Sequence, residues 1–129
     1  MGNPVVHFEI IGTAPKELRE FYGELFGWEP DTSGRVSPEV SVPDDYGFVA
    51  PDESNDMPGI PGGVGGGPDF TPQTVFYVAV PDVEEALQEA ERLGGTRRLG
   101  PAAAPSGLVV GHFTDPEGNL IGLAALPTS

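Results

Sequence analysis

The sequence contains no cysteine among its 129 residues. Without thiols the chain has no disulfides, no thiolate metal ligands and no cysteine nucleophile. Basic residues are scarce as well: six Lys and Arg stand against 20 Asp and Glu, for a formal net charge of −14. A charge of that sign repels phosphate backbones and anionic lipids, so we expect neither nucleic acid nor a membrane surface as a partner.

Long apolar runs are also missing. No stretch approaches the roughly 20 apolar residues that a membrane-spanning helix needs. The N-terminal sequence MGNPVVHFEI has neither the basic start nor the apolar core of a secretory signal peptide. We therefore expect a cytoplasmic protein.

Turn-forming residues are abundant, with 19 glycines and 15 prolines, yet 38% of the chain is hydrophobic and clearly periodic. A length of 129 residues suits one domain with a core of its own. We predict a single ordered domain over residues 1–129 with long, turn-rich connections.

Each half of the chain carries a strand-like run followed by an amphipathic helix that ends in Leu-x-Gly. The first copy is VVHFEIIG with APKELREFYGELFGW, and the second is TVFYVAV with PDVEEALQEAERLGG. At an offset of 68 residues Glu17 coincides with Glu85, Leu25 with Leu93 and Gly27 with Gly95. The repeat indicates two modules that fold together.

Two faces can be distinguished in the first predicted strand, residues 5–11. One is entirely apolar, and the amphipathic helix that follows is expected to cover it. His7 and Glu9 lie on the opposite face, where a ligand could bind. In the second predicted strand, the matching face carries Val75 and Tyr77.

Further strand patterns follow each helix. In the first half they are RVSPEVSV, YGFVA and IPGGVGGG, and in the second TRRLG, GLVVGHFT and NLIGLAAL. The turn DPEGN between the last two has Pro and Gly where hairpin geometry needs them. Each module is thus predicted as strand, helix and three strands, over about 4–66 and about 73–126. The predicted class is α+β, with helices on one side of the sheets and a concave face on the other.

Two segments suggest ligands only weakly. The acidic loop PDESNDMPG lacks the spacing of a calcium-binding EF-hand, so we interpret it as a solvated loop. The run GGVGGG lacks the GK[ST] that completes a phosphate-binding loop. We interpret its glycines as a backbone that another strand or a ligand approaches closely.

Four segments in order, HFEI, FYGELFGW, FYVAVPDVEEAL and GHFTDPEGNLIGL, resemble the vicinal oxygen chelate superfamily. That superfamily includes glyoxalase I, extradiol dioxygenases and bleomycin-resistance proteins. The resemblance covers nearly the whole chain. It implies two tandem βαβββ modules that form an open cup of mixed β-sheet with the helices on the outside, often in a homodimer.

The resemblance also implies where metal ligands would lie, since metal-binding members place four in the cup, two from each module. His7 keeps the first ligand position, but its counterpart is Val75, which has no donor atom. The late Glu position falls on Gly122, and the remaining one lies near 64 or 65 in GGVGGG. Three of the four positions therefore lack a donor.

A catalytic divalent metal normally has about three protein ligands. His7 alone does not meet that requirement, so no cofactor is predicted. The alternative is a divalent metal held in a rebuilt site by His7, Glu9 and His112.

Three functions are consistent with the resemblance. The first is a non-catalytic protein of the bleomycin-resistance type that binds a small apolar or aromatic molecule. The expected lining combines apolar walls with a few polar groups, as ligand pockets usually do: His7, Glu9, Ile11, Val75, Tyr77, Ala79, His112, Gly122 and Ala124. The second is a metal-dependent or metal-free lyase, isomerase or dioxygenase, with catalytic candidates His7, Glu9 and Tyr77. The third is a structural or regulatory dimer with a vestigial cup.

Overall fold

The computed structural model describes residues 2–34, 36–52, 54 and 56–126. These form, in order, β1 (Val5–Gly12), α1 (Pro15–Phe26), β2 (Gly47–Val49), β3 (Gly62–Gly66), β4 (Gln73–Ala79), α2 (Val83–Arg92), β5 (Thr96–Ala103), β6 (Val109–Thr114) and β7 (Leu120–Ala125). Parallel and antiparallel strand pairs both occur. The predicted α+β class with mixed β-sheet is confirmed.

The chain divides into two compact units. The first unit is His7–Thr74, and the second unit is Met1–Val6 together with Val75–Ser129. The residues before His7 thus belong with the C-terminal half of the chain. There the carbonyl oxygen of Pro4 accepts a hydrogen bond from the Ala79 amide at 2.9 Å.

Both helices begin and end where the sequence indicates. Pro15 occupies the first turn of α1, and Gly27 ends it in the left-handed conformation at φ 75°. At the start of α2, the Asp82 carboxylate accepts a hydrogen bond from the Glu85 amide at 2.9 Å. Neither helix is long and apolar enough to cross a membrane.

In the first unit, the strand order is β2-β3-β1. β1 runs parallel to β3, with Glu9 opposite Gly63, and β2 runs antiparallel to β3, with Phe48 opposite Gly63. Glu9, Gly63 and Phe48 therefore form one row across three strands.

Helix α1 lies on the side of the sheet that carries the apolar face of β1, as predicted, and packs mainly on β3. The Phe8 ring packs on Trp28 at 5.2 Å, and Trp28 packs on Tyr22 of α1 at 5.7 Å. Of the apolar stripe that was expected to lie against the sheet (Leu18, Phe21, Tyr22 and Leu25), Phe21 and Leu25 are 58% and 59% exposed, so the stripe is covered only in part.

The strand predicted from RVSPEVSV is wrong, so the described part of the first unit has two strands after α1 rather than three. The chain instead turns around Pro38, and the Ser37 carbonyl accepts a hydrogen bond from the Val40 amide at 2.9 Å. The outer edge of β2 is met by a single bridge at Asp31, which exchanges two backbone hydrogen bonds with Phe48. Arg35, at the start of the predicted strand, lies outside the described residues.

In the second unit, the strand order is β4-β7-β6-β5, and all three predicted strands after α2 are present. Leu87 of α2 is fully buried against Leu123 of β7, in a core that also includes Val78 of β4. A two-pronged ion pair between Arg97 and Glu84, at 2.6 and 2.8 Å, joins β5 to α2. Tyr77 lies on the opposite face of β4, away from this core.

Candidate functional site

In the first unit, the absence of a side chain at Gly63 leaves room for the ring of Tyr46. The Tyr46 backbone is extended just before β2, so its side chain lies on the same face as Phe48. A Cβ atom added to Gly63 would lie 2.1 Å from two ring carbons and the hydroxyl oxygen of Tyr46. The ring therefore lies across β3, in space that exists only because residue 63 is glycine.

The second unit repeats this arrangement on β7. Gly122 lies between Tyr77 of β4 and His112 of β6, in one row across three strands. A Cβ atom added to Gly122 would lie 2.6 Å from the Tyr77 ring. Tyr46 and Tyr77 are 1% and 2% exposed, so both rings are enclosed.

The Tyr46 hydroxyl connects the two polar side chains of β1. It donates a hydrogen bond to Glu9 Oε1 at 3.0 Å, and His7 Nε2 lies 3.0 Å from the same hydroxyl oxygen. The Tyr46 hydroxyl thus joins His7 and Glu9 in a hydrogen-bonded chain of three side chains.

Burial keeps the His7 imidazole uncharged. It lowers the pKa of His7 from its ordinary value of 6.5 to about 4, so the ring is neutral at pH 7.

The second unit pairs a tyrosine with a histidine directly. The hydroxyl oxygen of Tyr77 and Nε2 of His112 are 2.7 Å apart, and His112 is 4% exposed. Burial lowers the pKa of His112 to about 4, so this imidazole is neutral at pH 7 as well. The pair thus joins β4 and β6 through a buried hydrogen bond between a tyrosine and an uncharged imidazole.

The candidate lining residues fall into two groups, one in each unit. His7, Glu9 and Ile11 lie in the first, and Val75, Tyr77, Ala79, His112, Gly122 and Ala124 lie in the second. His7 and Glu9 are each hydrogen-bonded to the Tyr46 hydroxyl. Gly122 supports the Tyr77 ring and contributes no polar side chain.

Tyr46 is not among the predicted site residues, although a strand is predicted over YGFVA. The glycines of IPGGVGGG indicate the close approach of a neighbouring group, and Tyr46 directly precedes β2, the strand that pairs with β3. Strand alternation places Tyr46 and Phe48 on one face, and their rings are 4.9 Å apart.

The described residues do not fit the four-ligand metal centre that the resemblance implies. A carboxylate at residue 122 would need the space of the Tyr77 ring, a side chain at residue 65 would meet the Tyr46 ring, and Val64 is buried and has no donor atom. Val75 is buried and has no donor. Within the described ranges, no group of three or more His, Asp or Glu side chains is placed to hold a metal ion.

Comparison with known proteins identifies the family of this chain. The family described as glyoxalase-like domain matches residues 8–124, nearly the entire chain. The chain belongs to the glyoxalase-like family. The resemblance to the vicinal oxygen chelate superfamily is thereby confirmed. No curated protein matches the sequence of this glyoxalase-like domain.

Several solved structures share its fold. A variant of Streptomyces coelicolor methylmalonyl-CoA epimerase in complex with 2-nitronate-propionyl-CoA has a TM-score of 0.67 at 14% identity, covering 98% of this chain and 99% of that chain. For the Mycobacterium tuberculosis methylmalonyl-CoA epimerase the TM-score is 0.58 at 14% identity, with 97% and 88% covered. A glyoxalase/bleomycin resistance protein/dioxygenase superfamily member from Vibrio splendidus 12B01 has 0.53 at 15% identity, with 96% and 99% covered. At these identities the likeness concerns the fold of the glyoxalase-like domain alone.

Proposed function

We propose that this glyoxalase-like domain is a small-molecule binding protein of the bleomycin-resistance type that works without a metal centre. The observation that carries the proposal is the pair of glycine-supported tyrosine rings, Tyr46 over Gly63 and Tyr77 over Gly122. The Tyr77 ring fills the space of the ligand that the resemblance implies at residue 122, and the Tyr46 ring borders position 65. A cytoplasmic location and a homodimeric state stay predictions.

The chemistry of these groups favours a small aromatic ligand with one or two hydrogen-bonding atoms. Both imidazoles are neutral at pH 7, and both tyrosine hydroxyls are held by hydrogen bonds at 2.7–3.0 Å. Aromatic side chains with a few oriented polar groups are typical of small-molecule sites.

The proposal is tested first by elemental analysis of protein purified from medium supplemented with Zn, Ni, Fe and Mn. We expect far less than one metal ion per chain, because the described donors do not meet metal geometry. Stoichiometric metal that is lost in His7→Ala would overturn the metal-free site.

The second part of the test is a thermal-shift screen of aromatic compounds against the wild type. Compounds that stabilise it should lose most of their shift in Tyr77→Trp, which enlarges the ring at the site. The matched variant Tyr46→Phe keeps a ring over Gly63 and removes only the hydroxyl, so we expect about tenfold weaker binding. If no compound stabilises the wild type, the vestigial dimer becomes the better hypothesis.

One observation favours a second candidate, a metal-free acid–base catalyst. The His7 imidazole, neutral at pH 7 and hydrogen-bonded to Tyr46, takes a proton from a carbon next to a carbonyl group. The C–H bond breaks, its electron pair moves into the enolate, and the proton stays on His7.

The catalyst is tested by hydrogen exchange in D₂O, followed by proton NMR. The probe is an uncharged 2-methyl-3-oxoacyl thioester of N-acetylcysteamine, chosen because a chain of net charge −14 repels anionic substrates. Catalysed exchange should be lost in His7→Gln and fall by about 100-fold in Tyr46→Phe. Exchange at the buffer rate in the wild type, or equal rates in wild type and variants, would exclude this candidate.

A further inference from the structure

The second unit has a groove of about 600 Å³ between α2 and the helix-facing side of its sheet. Its floor is apolar and is formed by Val78, Val80, Ala86, Ala90, Phe113, Ile121 and Leu123. Its rim carries four acidic side chains, Asp82, Glu85, Glu89 and Asp115, beside the exposed Pro81, Leu93 and Pro116. Among the described residues that line the groove, none is basic. The groove lies on the face of β4 opposite Tyr77, so it is distinct from the tyrosine sites.

The groove is part of the internal repeat. The first unit has one of about 660 Å³ beside α1. Eight lining positions correspond at the offset of 68 residues: Ile10 and Val78, Gly12 and Val80, Thr13 and Pro81, Ala14 and Asp82, Glu17 and Glu85, Leu18 and Ala86, Phe21 and Glu89, Tyr22 and Ala90. Repetition of the same hollow in both units indicates a property of the strand-helix unit and not an accident of one loop.

The two grooves differ in chemistry at matched positions. Where α1 presents Phe21 at the rim of its groove, α2 presents Glu89. At the position that corresponds to Leu18, the second unit has Ala86, whose side chain is much smaller. The first groove is thus more apolar at its rim, and the second combines a floor of hydrocarbon with carboxylates at its rim.

We propose that the second-unit groove binds an amphipathic organic cation, with its apolar body on the floor and its ammonium group at Glu85. The volume is within the range of about 300–1,000 Å³ typical of small-molecule sites. The charge of the rim selects a cation over an anion. This site is independent of the function proposed for the tyrosine networks.

Glu85 is the rim carboxylate best suited to the ammonium group. The side chains of Asp82 and Asp115 accept backbone hydrogen bonds at 2.9 Å, in the helix cap and in the DPEGN turn. Glu89 is paired with Arg92. The Glu85 carboxylate has neither an ion pair nor a hydrogen bond within the part of the chain that the structure describes.

The test uses octyltrimethylammonium below its micelle concentration, with octanesulfonate as the anionic counterpart. In amide-correlation NMR of ¹⁵N-labelled protein, we expect shifts that map to Val78, Ala86 and Ala90 for the cation and no binding of the anion. Ala90→Phe, which fills the groove, should weaken binding at least tenfold. Glu85→Gln should weaken it about threefold, a factor typical of an exposed ion pair.

The internal repeat supplies the matched control. Glu17→Gln changes the equivalent carboxylate of the first unit and should leave the affinity unchanged. Equal binding of cation and anion would overturn the proposal, and so would equal effects of Glu17→Gln and Glu85→Gln. If the cation does not bind and Ala90→Phe converts a dimer to a monomer in sedimentation equilibrium, the occupant is a second copy of the chain and the proposal is wrong.

Discussion

Replacement of Gly63 by alanine is expected to lower the free energy of unfolding by about 3 kcal/mol, a large effect for one methyl group. The new Cβ would lie 2.1 Å from the Tyr46 ring and hydroxyl. The ring is 1% exposed and bonded to Glu9, so it cannot turn aside without breaking that bond. Urea unfolding followed by circular dichroism measures the change.

Two comparisons separate this clash from a general intolerance of alanine. Gly59→Ala should change the unfolding free energy by less than about 0.5 kcal/mol, because no described atom beyond its chain neighbours lies within 4 Å of the new methyl group. In a Tyr46→Ala background, Gly63→Ala should lose most of its effect, since the atoms it would meet are gone. An equal penalty with and without the Tyr46 ring would contradict the proposed packing.

Acidification from pH 7 to pH 5 is expected to remove about 2 kcal/mol of stability through His112 alone, and a comparable amount through His7. Burial lowers the pKa of each from 6.5 to about 4. Between those values the unfolded chain binds a proton at each imidazole and the folded chain does not. Stability is therefore complete above about pH 6.5 and falls as the pH drops towards 4.

The measurement is urea unfolding at pH 7, 6 and 5 for the wild type, His7→Gln and His112→Gln. Each variant should show a shallower loss than the wild type, because glutamine does not titrate. Asp and Glu residues titrate in all three proteins, so their contribution cancels in the comparison. Parallel pH curves for wild type and variants would show that the imidazoles are protonated in the folded state at pH 5.

Much of the fold could be predicted because its signals are local. Pro15, Gly27 and Asp82 mark helix ends within a turn of where they act, and the DPEGN hairpin includes its own turn residues. No local signal excludes a strand over RVSPEVSV. Its residues are suited to a strand, but Asp31, several residues upstream, is the residue that pairs with the outer edge of β2.

The site could be predicted only in part. Alternation along β1 and β4 was enough to place His7, Glu9 and Tyr77 away from the helices. Tyr46 could not be assigned, because its position depends on the register between β2 and β3 and on a glycine in a different strand. Such information lies in the pairing of distant segments and not in the pattern of either one.

The glycine-supported rings also restrict the routes by which this chain could evolve. A single Gly122→Glu change would recreate the ligand that the resemblance implies, but it would place a side chain in the volume of the Tyr77 ring. The tyrosine would have to shrink first, and that step alone would leave a hole and remove the partner of His112. Recovery of the ligand at residue 122 thus requires two coordinated substitutions, and Val75 and position 64 or 65 would also have to change before the four-ligand site is regained.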